Sequence, residues 1–136
     1  RGRLDNGNTA FDTCTYTRKE IKRLAIKGFE LAMKNDVKIV AGTDAGGFVH
    51  GDNARELELL VENGMSPLNA IKAATGVAAE CLTMEDTIGS LTVGHKADLL
   101  IMKEDPLKNI SILRDRNKIK YVFKDGNNIE LSKRII

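Results

Sequence analysis

The fold is decided by one short stretch, VKIVAGTDAGG at residues 37–47. The run 37–41 is mostly apolar and β-branched, which predicts a strand, and the glycines behind it predict a sharp turn. Two-residue alternation along a strand places Val40, Gly42 and Asp44 on one face. A carboxylate is therefore expected where the strand ends, directly before a glycine-rich loop.

Helices are predicted on both sides of this strand. Upstream, Thr17 and Glu20 have the spacing of a capping box, and a helix should run from there to about Asn35. Downstream, helix starts of the capping type lie at Asn53 and at Ser66, and a short helix should follow at 77–82. A helix, a strand and a glycine-rich turn together form an α/β unit.

The two ends of the chain have a different character. Residues 1–16 show no clear period and are interpreted as a loop. After Glu85 the pattern becomes one of short strands and turns. The expected strands are 88–91, 99–101, 119–123 and 128–131, with Asp125-Gly126 as a hairpin turn before the last. We therefore expect an α/β part over 1–85 and a small β part over 86–136.

Composition excludes several classes of function. The 136 residues carry a net charge of only +2, with 29% charged and 4% aromatic residues, which disfavours nucleic-acid binding. No apolar run approaches the roughly 20 residues that span a bilayer, and the first residues do not resemble a signal peptide. Cys14 and Cys81 form no C-x-x-C pair. We expect a cytoplasmic protein with two reduced, mostly buried cysteines and no membrane partner.

Asp44 is the leading catalytic candidate. Active sites of (β/α) barrels lie at the carboxyl ends of the strands, where a carboxylate can bind a metal or accept a proton. Gly42 leaves room beside it, and Gly46 and Gly47 let the backbone approach a ligand. The spacing alone also fits an Asp that caps a turn or the next helix.

The remaining polar candidates have simpler alternatives. His50 lies in the loop after Asp44 and could contact a substrate or simply face solvent. Glu56 is expected at the third position of a helix, His95 in a surface turn, and Asp98 as a hydrogen-bond acceptor at a turn or strand edge. Two histidines make no H-x-H or H-E-x-x-H pair, so this chain alone is not expected to hold a complete metal site.

Five stretches in order resemble the amidohydrolase superfamily, with the imidazolonepropionase-like and Xaa-Pro dipeptidase or arginine carboxypeptidase-like enzymes as the nearest subgroup. They correspond to the eighth barrel strand, the final barrel helix, an Ala-Thr helix end, the return to the β-sandwich and its terminal hairpin. The stretches are 37–46, 50–51 with 56–67, 70–75, 88–91 with 94–99, and 122–126.

The resemblance implies the fold and the chemistry. Residues 1–85 would be the last βα unit of a metal-dependent hydrolase TIM-type barrel, and 86–136 the C-terminal part of a small β-sandwich. The family uses one or two divalent metals, usually zinc, and a metal-activated hydroxide. Asp44 would ligate the metal, accept the water proton and pass it to the leaving nitrogen, while His50, Gly46 and Gly47 would contact substrate.

Three functions follow as hypotheses. The first is an amidohydrolase that cleaves a C–N bond in a small molecule, a dipeptide or a peptide C-terminus, as a homo-oligomer of the full-length protein. The family's other metal ligands precede the eighth strand and are not found in this chain, so the piece alone should be inactive and should expose apolar surface. The alternatives are a non-catalytic folding or oligomerisation module and a small-molecule binding domain that uses the glycine-rich loop.

Overall fold

The structure is a computed structural model that describes residues 2–4, 9–11, 15–44 and 50–130. None of the helices in these ranges is long and apolar enough to cross a membrane. The described chain is a partial α/β structure. Its elements are, in chain order, β1 (Gly2–Leu4), β2 (Thr9–Phe11), α1 (Arg18–Lys34), α2 (Ala54–Glu62), α3 (Pro67–Ala74), α4 (Gly76–Cys81), β3 (Leu99–Met102), two 3₁₀-helices (Ile110–Arg114 and Arg116–Lys118), β4 (Ile119–Lys124) and β5 (Asn127–Asn128).

Helix α1 begins at the predicted capping box. The Thr17 hydroxyl accepts a hydrogen bond from the Glu20 amide at 3.3 Å, and the Glu20 carboxylate accepts one from the Thr17 amide at 2.8 Å. At the other end, the Asn35 side-chain amide donates to the Leu31 carbonyl at 2.7 Å. These contacts satisfy backbone groups that a helix end leaves open, and they confirm the predicted limits of α1.

The caps of α2 and α3 differ from each other. Ser66 caps α3 as predicted, with its hydroxyl accepting from the Asn69 amide at 3.3 Å and Pro67 in the first turn. Helix α2 begins after Asn53 as predicted, but the expected side-chain cap is absent, because Asn53 already has helical angles and its side chain makes no capping hydrogen bond. A side chain reaches the next turn only from an extended cap residue, and Ser66 has that conformation while Asn53 lacks it.

The β part contains the predicted hairpin. Asp125 and Gly126 both have positive φ, 50° and 79°, as a tight two-residue turn between β4 and β5 requires. β3, β4 and β5 form one antiparallel sheet in that order. A strand over 88–91 was predicted wrongly, because the Thr87 and Ile88 amides both donate back to the Met84 carbonyl in a turn.

The first residues also differ from the prediction. Residues 1–16 were expected to be a loop, but β1 and β2 pair as an antiparallel hairpin, with Gly2 opposite Phe11 and Leu4 opposite Thr9. Each strand is three residues long. A run of that length is too short for apolar alternation to be recognised in a sequence.

The interior is small and rich in alanine. The buried apolar residues of the described ranges are Ala70, Ala73, Ala79, Ile110 and Ile112. Large apolar side chains elsewhere are open to solvent, and Leu24 and Leu31 on α1 are 75% and 57% exposed. The expected exposure of apolar surface is therefore present. Cys81 is a free and exposed thiol, which corrects the prediction of a buried one, and Cys14 lies outside the described residues.

The 86–136 part packs against the helices before it at α2 and at the α3–α4 junction. The 3₁₀-helix 110–114 packs on α2 and buries Ile110 and Ile112 there. Gly89 lies so close to the α3–α4 junction that a Cβ built on it would stand 2.7 Å from the Ala79 Cβ and 3.0 Å from the Thr75 carbonyl oxygen. The segment after α4 therefore folds back onto the helices.

Candidate active site

The predicted alternation of side chains is present from Ile39 to Asp44, whereas Val37, expected on the face of Ile39, is exposed. Ile39, Ala41 and Thr43 are half-buried, whereas Val40, Gly42 and Asp44 are exposed. The strand predicted at 37–41 does not form, because no described strand lies alongside it to pair with. One hydrogen bond, from the Ala41 amide to the Ala73 carbonyl at 3.0 Å, fixes the inner face of the segment to the end of α3. The exposed face is consequently left open.

Asp44 ends this open face. Its φ of 45° is in the left-handed region, which Asp adopts more readily than most residues and which turns the chain sharply at this point. A Cβ built on Gly42, two residues earlier on the same face, would meet no atom of the described residues within 4 Å. The described part of the chain therefore leaves space on this face at Gly42, as predicted. Gly46 and Gly47, the predicted backbone contacts to substrate, lie outside the described residues.

His50 lies at the entrance to α2. It is exposed, and Gly51 behind it has a φ of 92°. Asp44 and His50 thus border the stretch 45–49, whose placement is not described. Within the described ranges no group of three His, Cys, Asp or Glu side chains could hold a metal ion.

The other three candidate residues, Glu56, Asp98 and His95, occupy positions that are explained by structure alone. Glu56 occupies the third position of α2, and burial raises the pKa of its carboxyl. The Asp98 carboxylate accepts hydrogen bonds from the Asp125 amide at 2.8 Å and the Lys124 ammonium at 2.6 Å, and the first of these contributes most to lowering its pKa. The His95 Nδ1 lies 3.1 Å from the Ser90 hydroxyl. Each of the three residues therefore has the structural role expected of it, as a helix residue, a hydrogen-bond acceptor or a turn residue.

A charged cluster that sequence reasoning missed begins at Asp52, two residues after His50. Arg114 reaches from the 3₁₀-helix 110–114 to Asp52 with two hydrogen bonds of 2.8 and 2.7 Å, and to Glu58 with one of 2.7 Å. Arg55 donates to the same Glu58 carboxylate at 2.6 Å and to Glu62 at 2.9 Å. We call Asp52, Arg55, Glu58 and Arg114 the rim cluster. Glu58 can be recognised in the sequence as a charged residue on α2, but its partner Arg114 lies 56 residues further along the chain.

Glu58 is the centre of the rim cluster. It is only 6% exposed. Burial alone would raise the pKa of Glu58, but hydrogen bonds from Ser111, Arg55 and Arg114 outweigh it and hold the pKa below its ordinary value. The largest influence on Asp52 is likewise its hydrogen bonding to Arg114, which lowers its pKa. The carboxylates of the cluster are therefore ionised at neutral pH, and Arg55 and Arg114 neutralise them with help from the Ser111 hydroxyl.

Replacing Glu58 with Gln should make the free energy of unfolding less dependent on pH in the acid range. Because the folded pKa of Glu58 lies below the unfolded value of about 4.3, its contribution is full above that value and is lost as the pH falls through the folded pKa. The variant should lose about 1–3 kcal/mol of unfolding free energy at pH 7 and should decline less steeply between about pH 5 and 3. Urea unfolding across this range measures both quantities.

Glu56→Gln, two positions earlier on the same helix, is the matched control. Burial raises the pKa of Glu56, so its ionised form opposes folding, and acidification relieves that opposition. This variant should decline at least as steeply with acid as the unmodified protein. Parallel acid profiles for the two variants would show that the rim cluster is not the source of the dependence.

The comparisons with known proteins agree with this architecture. The model of the amidohydrolase family matches residues 6–129. Ochratoxinase from Aspergillus niger is 36% identical over 103 residues, which cover 74% of this chain and 21% of that protein. The crystal structure of a Xaa-Pro dipeptidase superposes with a TM-score of 0.72 at 39% identity, over 82% of this chain and 26% of that one.

The chain therefore belongs to the amidohydrolase family. The structure of the A. niger ochratoxinase also superposes, with a TM-score of 0.65 and 37% identity over 76% of this chain. The chain spans only about a fifth to a quarter of the length of these relatives, 21% of the ochratoxinase sequence and 26% of the dipeptidase structure. The family predicted from the motif order is confirmed.

Proposed function

We propose that this chain forms the last α/β unit and the C-terminal β segment of a metal-dependent amidohydrolase that cleaves a C–N bond. The observation that carries the proposal is the alternation along 39–44, which leaves Asp44 at the end of an open face while Ala41 is fixed to α3. In a barrel, such a face points inward and its carboxyl end is the active-site rim. Residues 1–85 would then close the barrel and 86–136 would contribute to the sandwich.

Asp44 has the chemistry that this role requires. Its carboxylate is exposed to solvent on the open face, and the described residues leave space on that face at Gly42. We assign it two tasks, to ligate a divalent metal with one oxygen and to hold the proton that a water molecule loses on attacking the substrate. The same proton then goes to the nitrogen that leaves. His50, at the far end of the adjoining loop, would contact the substrate.

A divalent metal such as zinc, when bound, lowers the pKa of water toward neutrality and polarises a carbonyl. Carboxylate oxygen is a suitable zinc ligand, and Asp44 fits as one member of such a site. A catalytic zinc takes about three protein ligands, whereas the described part of this chain brings no three suitable side chains together. The chain would thus supply one ligand, and the preceding strands of the full-length enzyme would supply the others.

The substrate class follows from the relatives. The similar structures include a Xaa-Pro dipeptidase, a protein named for a dipeptide substrate. Together with the amidohydrolase family, this supports an amide or peptide bond next to a C-terminal residue as the target. We infer a small substrate, a dipeptide or an N-acylated amino acid, for the full-length protein.

Metal removal tests the proposal. The full-length protein should hydrolyse at least one member of a panel of Xaa-Pro dipeptides and N-acyl amino acids, release of the free amino acid being the readout. A chelator should abolish that release, and added zinc should restore it. Hydrolysis that persists after complete removal of metal would refute a metal-dependent site.

A non-catalytic folding or oligomerisation module is the second candidate. The exposed apolar side chains of α1, among them Leu24 and Leu31, favour it because they require a covering surface. This candidate predicts no hydrolysis of any substrate on the panel. It also predicts that metal removal changes neither activity nor assembly.

A further inference from the structure

We infer that Arg114 is a positioning residue for the active-site rim, which it clamps through Asp52. The inference rests on the proposed function, since it names a residue that holds the chain at Asp52, two residues after the candidate substrate contact His50. Arg114 itself would touch neither substrate nor metal.

The clamp is a paired contact with defined geometry. The Arg114 Nε donates to the Asp52 Oδ1 at 2.8 Å and its Nη2 donates to Oδ2 at 2.7 Å. The planar guanidinium fork fixes a carboxylate in orientation as well as in distance, which a single ammonium cannot do. The two residues are 62 positions apart, so the contact ties the C-terminal segment to the loop.

Arg114 is also held in place by contacts other than the one with Asp52. Its Nη1 donates to the buried Glu58 carboxylate at 2.7 Å. The 3₁₀-helix that carries it buries Ile110 and Ile112 against α2. The Arg114 side chain therefore has little conformational freedom to lose when it binds Asp52. An ion pair whose side chains are already ordered holds its partner more firmly than an isolated surface pair does.

The position of Asp52 connects the clamp to the site. Asp52 follows His50 by two residues, and the intervening Gly51 has a φ of 92° with no described atom within 4 Å of its potential Cβ. The described residues therefore do not pack against this turn at Gly51. The segment that ends at Asp44 has an anchor of its own, the hydrogen bond from the Ala41 amide to the Ala73 carbonyl. Removing Arg114 should therefore loosen the chain at residues 50–52 and leave residues 37–44 in place.

Arg114→Lys and Arg114→Gln in the full-length protein test the clamp, with Arg116→Gln as the matched control. Arg116 is exposed on the next 3₁₀-helix and bears the same charge. Both Arg114 variants should raise amide exchange at least tenfold at Arg55 and Glu56, whose amides donate to the Asp52 and Asn53 carbonyls, and leave α1 unchanged. They should lower kcat/KM about 10–100-fold, as a small misplacement of a reacting group does, with bound metal unchanged. Arg116→Gln should change neither quantity.

Asp52→Asn keeps the contact between Arg114 and Glu58 and covers the case in which the Arg114 variants fail to fold. It should reproduce the faster exchange at Arg55 and Glu56. Normal exchange in Asp52→Asn, or an Arg114→Lys variant that matches the unmodified protein in exchange and in kcat/KM, would overturn the clamp. The exchange readout needs no activity, so it decides the clamp even if Asp44→Asn stays active and the proposed function fails.

Discussion

Replacing Asp44 with Asn should reduce hydrolysis by the full-length enzyme by about 10²–10⁴-fold, the usual contribution of a positioned acid–base group. The amide has nearly the same shape as the carboxylate, but it carries no charge and cannot hold the transferred proton. Asn also tolerates the φ of 45° found at this position, so the fold should be unaffected. Release of amino acid from the dipeptide panel measures the loss.

Asp36→Asn is the matched control for this substitution. Asp36 is also exposed and also has a positive φ, of 51°, but it follows α1 at the opposite end of the 37–44 segment. The control should retain normal hydrolysis and an unchanged thermal midpoint. If Asp44→Asn and Asp36→Asn are equally active, Asp44 has no catalytic role.

Replacing Gly89 with Ala should cause the largest loss of stability among single methyl additions to the described glycines. The new Cβ would stand 2.7 Å from the Ala79 Cβ and 3.1 Å from the Gly76 Cα, and the backbone φ of 83° is unfavourable for any side chain. Overpacking and backbone strain each cost about 1–3 kcal/mol, so we expect a loss of roughly 3–5 kcal/mol in unfolding free energy. Urea unfolding measures this loss.

Gly94→Ala separates the two causes. Gly94 has a similar φ of 94°, but its added Cβ would meet nothing within 4 Å. The control should therefore show the cost of backbone strain alone, about 1–2 kcal/mol. If the two variants lose equal stability, the 86–136 part does not pack against α4 at Gly89 as described.

Local signals explain which elements the sequence predicts well. The capping box at Thr17 and the serine–proline start of α3 act within one helical turn, so residue spacing is enough to locate them. The Asp125-Gly126 turn is equally local, because two residues with positive φ are what a tight hairpin needs. The alternation of exposure along 39–44 also follows directly from the strand period.

Contacts between distant residues explain what the sequence did not predict. Arg114 appears as an ordinary surface charge until the 3₁₀-helix brings it to Asp52, and no spacing rule covers a separation of 62 positions. Asn53 has a good capping residue type, but the chain enters α2 with helical angles that prevent the cap. The order of motifs identifies Asp44 as a candidate, yet its metal partners depend on chain segments brought together only by the complete barrel.

A crystal structure of the full-length protein with zinc, with anomalous scattering recorded at the zinc edge, tests the central claim most directly. We expect a zinc peak about 2.0–2.2 Å from an Asp44 carboxylate oxygen, with His50 on the same side of the barrel. A fully occupied zinc site that lies away from Asp44, or an Asp44 side chain directed into bulk solvent outside any cavity, would contradict the account.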